Sequence, residues 1–197
     1  MLSDGYHDVD PTKIVTVETS LQMFARPPER QAPAGGDYRL VRLDAITAAE
    51  YLDLYRAVGR DWLWFMRLAL SEAELLAIVR DPGVEVYRLE APGGVGILEL
   101  DFREEGECEL AFFGVSPGLV GTGAGRWLMA QALELAWSRP IRRLWVHTCT
   151  LDHQGAVAFY MRSGFVPFRR RVEITDDPRH LGKSPRDSAP HFPMIGG

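Results

Sequence analysis

Cysteine is scarce in this chain, with Cys108 and Cys149 the only two. The two could pair, but nothing else in the sequence points to secretion, so the expectation is free thiols in a reducing cytoplasm. No apolar run approaches the roughly 18 residues that a membrane-spanning helix needs, so no membrane partner is expected. A basic excess is missing as well. The chain has 22 Lys and Arg against 27 Asp and Glu, a net charge of −5. It therefore lacks the positive face that neutralises a phosphate backbone, and no nucleic-acid partner is expected. The stretch from Met1 to Gly5 has neither the basic nor the apolar part of a signal peptide, which makes a cytoplasmic location the expectation.

What is present fits one domain over residues 1–197, with 46% apolar and 25% charged residues. Residues 12–20 alternate as a strand rich in β-branched side chains. Residues 26–37, rich in proline and glycine, read as a linker, so 1–37 forms an N-terminal strand and connection before a core over 38–174. Strand patterns follow at 38–43, 84–90, 95–102, 108–115, 143–149 and 165–174. Short turns between the second, third and fourth of these imply an antiparallel meander. Helices begin at two capping boxes, Thr47 with Glu50 and Ser71 with Glu74. Two more helices are expected, one reaching Trp137 before Pro140 and one over 154–163 stopped by Gly164. Residues 175–197 read as an arm without regular structure. The dense stretch Asp61-Trp62-Leu63-Trp64-Phe65-Met66 is either core or the wall of a substrate pocket.

The most informative segment is Gly121-Thr122-Gly123-Ala124-Gly125. It lies between the apolar run Leu110 to Val115 and the helical pattern that starts at Arg126. Strand, glycines and helix together make an anion cradle. The glycines admit close approach to the backbone, and the first amides of the helix point outward. A dinucleotide fingerprint from Gly121 needs glycine at position 126, which is Arg126. A P-loop from Gly118 reaches Gly123 but then meets Ala124-Gly125 instead of Lys-Ser/Thr. Both spacings fail.

A second segment, Leu151 through Phe165, lies one helix and one strand further on. Together the two segments resemble the GNAT superfamily of acyl-CoA-dependent N-acetyltransferases. Gly123 and Gly125 match its glycine motif, and Val120 stands where the family usually has Arg or Gln. Ala156, Tyr160, Gly164 and Phe165 match its second motif, and His153 stands in for Asn. The resemblance covers about residues 84–168. It implies a GNAT-like α/β fold, a mixed and mostly antiparallel sheet with helices on its faces and a splayed parallel strand pair at the coenzyme site. It also implies acetyl transfer from acetyl-CoA, as cosubstrate, to a primary amine on a small molecule or peptide, without a metal. Dimers are common among such proteins, so a homodimer is an expectation.

Within the resemblance, the backbone from Phe113 through Gly114 to Val115 would hold the pantetheine arm and polarise the carbonyl. The pyrophosphate would sit on Val120, Gly121, Thr122, Gly123, Ala124, Gly125 and Arg126, and His153 would cap the last helix or touch the coenzyme. Tyr160 is the candidate acid, with a packing tyrosine as the alternative. Glu109 is the candidate base. It lies six residues before Val115, which strand alternation places on the same face. A solvent-facing carboxylate is its alternative, and Glu99 and Asp101 are rivals for the role. His147, Cys149 and His153 do not complete a metal set. Arg169-Arg170-Arg171 reads as a solvated strand face or an anion patch. A noncatalytic acyl-CoA-binding module and a nucleotide-binding protein are the competing functions.

Overall fold

A computed structural model describes residues 3–28 and 36–195. Much of the expected linker, residues 29–35, lies outside the described residues. Among the described residues seven strands form one sheet: β1 (Lys13–Met23), β2 (Arg39–Arg42), β3 (Val84–Ala91), β4 (Gly94–Asp101), β5 (Glu107–Val115), β6 (Arg143–Cys149) and β7 (Val166–Asp176). Their order across the sheet is β2-β3-β4-β5-β6-β1-β7. The meander β3-β4-β5 is antiparallel, and β5 and β6 are parallel. The N-terminal strand is an interior strand of the sheet, antiparallel to both β6 and β7. Strand β7 is left at the edge and is exposed along nearly its whole length.

Among the described residues four α-helices flank the sheet: α1 (Ala48–Gly59), α2 (Glu72–Val79), α3 (Ala124–Trp137) and α4 (Ala156–Arg162). Both capping boxes form. Glu50 N donates to Thr47 Oγ1 (3.2 Å) and Thr47 N to Glu50 Oε2 (2.9 Å). The Ser71–Glu74 pair does the same at 3.3 and 2.8 Å. Each box supplies acceptors for donors that a helix start otherwise leaves unpaired.

The helices divide the core by sheet face. Leu98, Leu100 and Leu110 pack with Leu128, Ala132 and Tyr160 on the α3–α4 face. Val86 and Ile97 pack with Tyr51, Tyr55 and Leu75 on the α1–α2 face. A third cluster joins Ile14, Leu63, Leu151 and Ala189. The C-terminal arm reaches it without a helix or strand. Arg179, buried, forks onto Asp177 (2.7 Å) and donates to the carbonyls of Ser188 (3.0 Å) and Phe192 (2.8 Å). No helix among the described residues is long and apolar enough to cross a membrane.

Candidate active site

Parallel pairing of β5 with β6 runs only from Glu107↔Arg143 to Glu109↔Trp145. Beyond Glu109 the two strands part, leaving the β6-side backbone of β5 unpaired up to Val115. A β-bulge marks the parting. Glu99 pairs with Phe112 but Leu100 with Leu110, so Ala111 is an extra residue in β5. Gly114 admits α1 closely at the same place, since a Cβ there would lie 2.7 Å from Val58 Cγ1.

The bulge overturns the alternation argument for Glu109. Leu110 and Val115 both pack toward the α3 core, although five positions separate them. Glu109, next to Leu110, therefore faces the α1 side, opposite to Val115. The rival carboxylates are also corrected. Glu99 is 0% exposed, and its oxygens accept from Arg67 Nη2 (2.5 Å) and Tyr51 OH (2.5 Å). Asp101 is forked by Arg103, at 2.5 Å for Nη2. Neither is a free base. The Glu99–Arg67 pair anchors the turn after α1 to the sheet.

A cavity of about 850 Å³ runs through the opening. Phe113, Val115, the glycine loop and Tyr160 line it from the α3–α4 side, while Trp62, Trp64, Phe112 and His147 line it from the α1 side. One cavity takes walls from both faces because the sheet is open there.

At the glycine end, Gly121 (φ +81°) and Gly123 (φ +97°) adopt left-handed backbone that a side chain would strain. The amides of Gly121, Gly123, Gly125 and Arg126 donate to no described residue. A Cβ on Gly125 would meet nothing within 4 Å. The loop is thus a concave row of free donors at the start of α3, an arrangement that fits a pyrophosphate. Val120 and Arg126 line the cavity beside it, and Val120 is 50% exposed. Thr122 and Ala124 do not line it. Thr122 Oγ1 donates to Leu119 O (2.8 Å) and accepts from Ala124 N (3.3 Å), and Ala124 is buried. Their part is to hold the loop.

Tyr160 reaches the cavity from α4 and is 7% exposed, with Phe113, Phe159 and Phe165 rings around it. Its phenol donates to no described residue. Burial, reinforced by the Asp152 carboxylate, pushes its pKa well up, so the proton stays on the oxygen. His153 lines the cavity too, and its Nδ1 accepts from Gly155 N (3.0 Å), which caps the turn into α4. The aromatic stretch divides its roles. Trp62 through Met66 all border the cavity, and within the stretch Leu63 is the buried core residue.

Glu109 does not line the cavity. Its Oε1 lies 3.3 Å from His147 Nδ1, and His147 does line it. Glu109 and then the nearby Glu18 and Asp152 raise the imidazole pKa against the opposing pull of burial. Asp152 was not singled out by sequence reasoning. It accepts from Trp64 Nε1 (3.1 Å), Thr148 Oγ1 (2.7 Å) and Cys149 N (3.0 Å), tying the aromatic wall to the end of β6. Glu18 was missed as well, since only the placement of β1 beside β6 brings it here. Its carboxylate takes Arg171 Nη2 at 2.7 Å, so one residue of the arginine triplet is used within the sheet. Cys149 packs against the third cluster, and burial pushes its thiol up to about 11. Among the described residues no group of three or more His, Cys, Asp or Glu is placed to hold a metal.

A sheet split by a bulge, with a free-amide glycine loop at one end of the cavity through it, defines a mixed α/β fold with one opened parallel strand pair. The chain belongs to the acetyltransferase (GNAT) family, whose model matches residues 50–165. Solved structures agree on the fold. A GCN5-related N-acetyltransferase from Sphaerobacter thermophilus superposes with a TM-score of 0.56 at 16% identity, over 85% of this chain and 52% of that one. One from Kribbella flavida gives 0.51 at 18%, over 85% and 60%. A conserved protein from Staphylococcus epidermidis gives 0.57 at 15%, over 84% and 63%. The chain thus spans between half and two thirds of the length of these structures. No curated protein sequence matches it.

Proposed function

We propose that this protein is an N-acetyltransferase that moves the acetyl group of acetyl-CoA to a primary amine by direct attack in a ternary complex. The observation that carries the reading is the cavity through the split sheet, with free amides at one end and Tyr160 and His147 on its walls. Acetyl-CoA supplies the activated acyl group as a thioester. The amides of Gly121, Gly123, Gly125 and Arg126 would hold its pyrophosphate, with Val120 and His153 bordering the site. The unpaired backbone of β5 at Phe113, Gly114 and Val115 would hold the pantetheine arm and polarise the acyl oxygen. Tyr160 keeps its proton at neutral pH and would deliver it to the departing sulfur. The Glu109 end of the opening, with its imidazole partner, would receive the proton of the amine.

Free-thiol release from acetyl-CoA, followed across a panel of primary amines, tests the reading. Release that depends on one class of amine is the expected result. Coenzyme binding without release for any amine would instead favour a noncatalytic acyl-CoA-binding module. In Tyr160→Phe, turnover is expected to fall roughly 10²- to 10⁴-fold while coenzyme affinity holds. Full turnover in that variant would overturn the acid assignment.

A further inference from the structure

The register of β5 and β6 locates His147 where the two strands part. Glu109↔Trp145 is the last parallel pair. Two residues further along each strand stand Ala111, the bulge residue, and His147. His147 is thus the β6 side chain across from the point where β5 turns away. Its Nδ1 is turned to Glu109 Oε1 at 3.3 Å. A carboxylate beside Nδ1 favours the neutral tautomer that has its proton on Nδ1 and its lone pair on Nε2. Nε2 bonds to no described residue, and the ring lines the cavity while Glu109 stands behind it.

From this geometry, and resting on the acetyltransferase reading above, we propose that His147 is the catalytic base and Glu109 the positioning residue that orients it. Nε2 takes one proton from the attacking amine nitrogen. That nitrogen forms the amide bond with the acyl carbon. The carbon–sulfur bond breaks with its electron pair going to sulfur, which receives the Tyr160 proton. One proton is taken at His147 and one given at Tyr160, and solvent restores both groups.

The groups facing the imidazole come from four elements. Glu109 is on β5, and Ser20 and Glu18 are on β1, where Ser20 is the register partner of His147. Arg171, bound to Glu18, and Arg169, paired with Ser20, are on β7. Asp152 follows β6, and Trp145 lies on β6 itself with its ring 6.1 Å away. The carboxylates favour the imidazolium, which raises the pKa above the ordinary value of 6.5. A base works in its neutral form, so kcat/KM rises with pH through that raised value.

The test joins a spectroscopic and a kinetic measurement. Histidine NMR titration of the full chain, with His147→Gln used to assign the signal, reads the imidazole directly. His147 is expected to titrate above 6.5, and to move down toward 6.5 in Glu109→Gln. The ascending limb of kcat/KM should move down by the same interval in Glu109→Gln, with activity reduced but present. In His147→Gln that limb should vanish and turnover fall roughly 10²- to 10⁴-fold, with coenzyme affinity measured by calorimetry unchanged. Release that survives His147→Gln with its pH profile intact overturns the imidazole alone. An unshifted His147 signal in Glu109→Gln overturns the positioning role. A wild-type chain that releases no thiol for any amine overturns the acetyltransferase reading, and the base with it.

Discussion

Gly125 separates the folding and binding uses of the glycine loop. Gly121 and Gly123 are needed for left-handed backbone, but Gly125 sits in the first turn of α3 with ordinary helical geometry and open space where a Cβ would be. Gly125→Val therefore costs no backbone strain, and a side chain in a helix is mildly favoured over glycine. The melting temperature should stay or rise slightly, while acetyl-CoA affinity by calorimetry falls at least about tenfold, because the methyls occupy the space beside the free amides. Unchanged affinity would place the coenzyme elsewhere. The glycine spacing was legible in the sequence for a local reason, since loop conformation depends on neighbouring residues. The partner of Glu109 was not. Its distance to His147 is set by two strands that a helix separates in the chain.

Elements were read well where the signal was local. Both capping boxes, the meander and the parallel relation of β5 and β6 match the structure. Ser71→Ala removes the cap of α2, whose own length of 8 residues gives it little intrinsic stability. The variant should lose about 1 kcal/mol in urea unfolding with an unchanged m-value. A larger loss would mean that α2 holds more of the α1–α2 core than its buried residues Leu75 and Val79 imply. The bulge at Ala111 shows the limit of pattern reading. Alternation over 108–115 looks regular by composition, because Leu110 and Phe112, two positions apart, are both apolar. Only the pairing with β4 reveals the bulge that leaves Leu110 on the α3–α4 face and Phe112 on the α1–α2 face.

Across the whole molecule, β1 and the segment after β7 both take part in the core. Strand β1 fills the place between β6 and β7 and carries Glu18 to the cavity. The C-terminal arm covers Ile14, Leu63 and Leu151 with Ala189 and Phe192, and Arg60 Nη2 meets Asp187 Oδ2 at 2.6 Å. A chain ending at Asp176 should therefore lose about 2–4 kcal/mol of stability, read by chemical denaturation, through the exposed apolar cluster. The arm also has a pH signature. Burial opposes ionisation of Asp177, but its bonds from Arg179 win and hold its pKa below the ordinary 3.8. A carboxyl depressed in the folded state contributes stability that is present above 3.8 and lost as pH falls through the folded value. Acid titration of the intact chain should show this loss below pH 4, and the shortened chain should lack it.

The sequence by itself determined the kinds of elements, their order, the helix starts and the glycine loop that identifies the family. Each of these rests on side-chain periodicity or backbone conformation within a few residues. Tertiary structure alone decided that β1 enters the sheet, that Glu109 and Val115 part to opposite faces, and that Glu109 meets an imidazole at the cavity wall. Those outcomes depend on hydrogen bonding and packing between segments far apart in the chain. Their relative energies emerge only when the strands are set side by side.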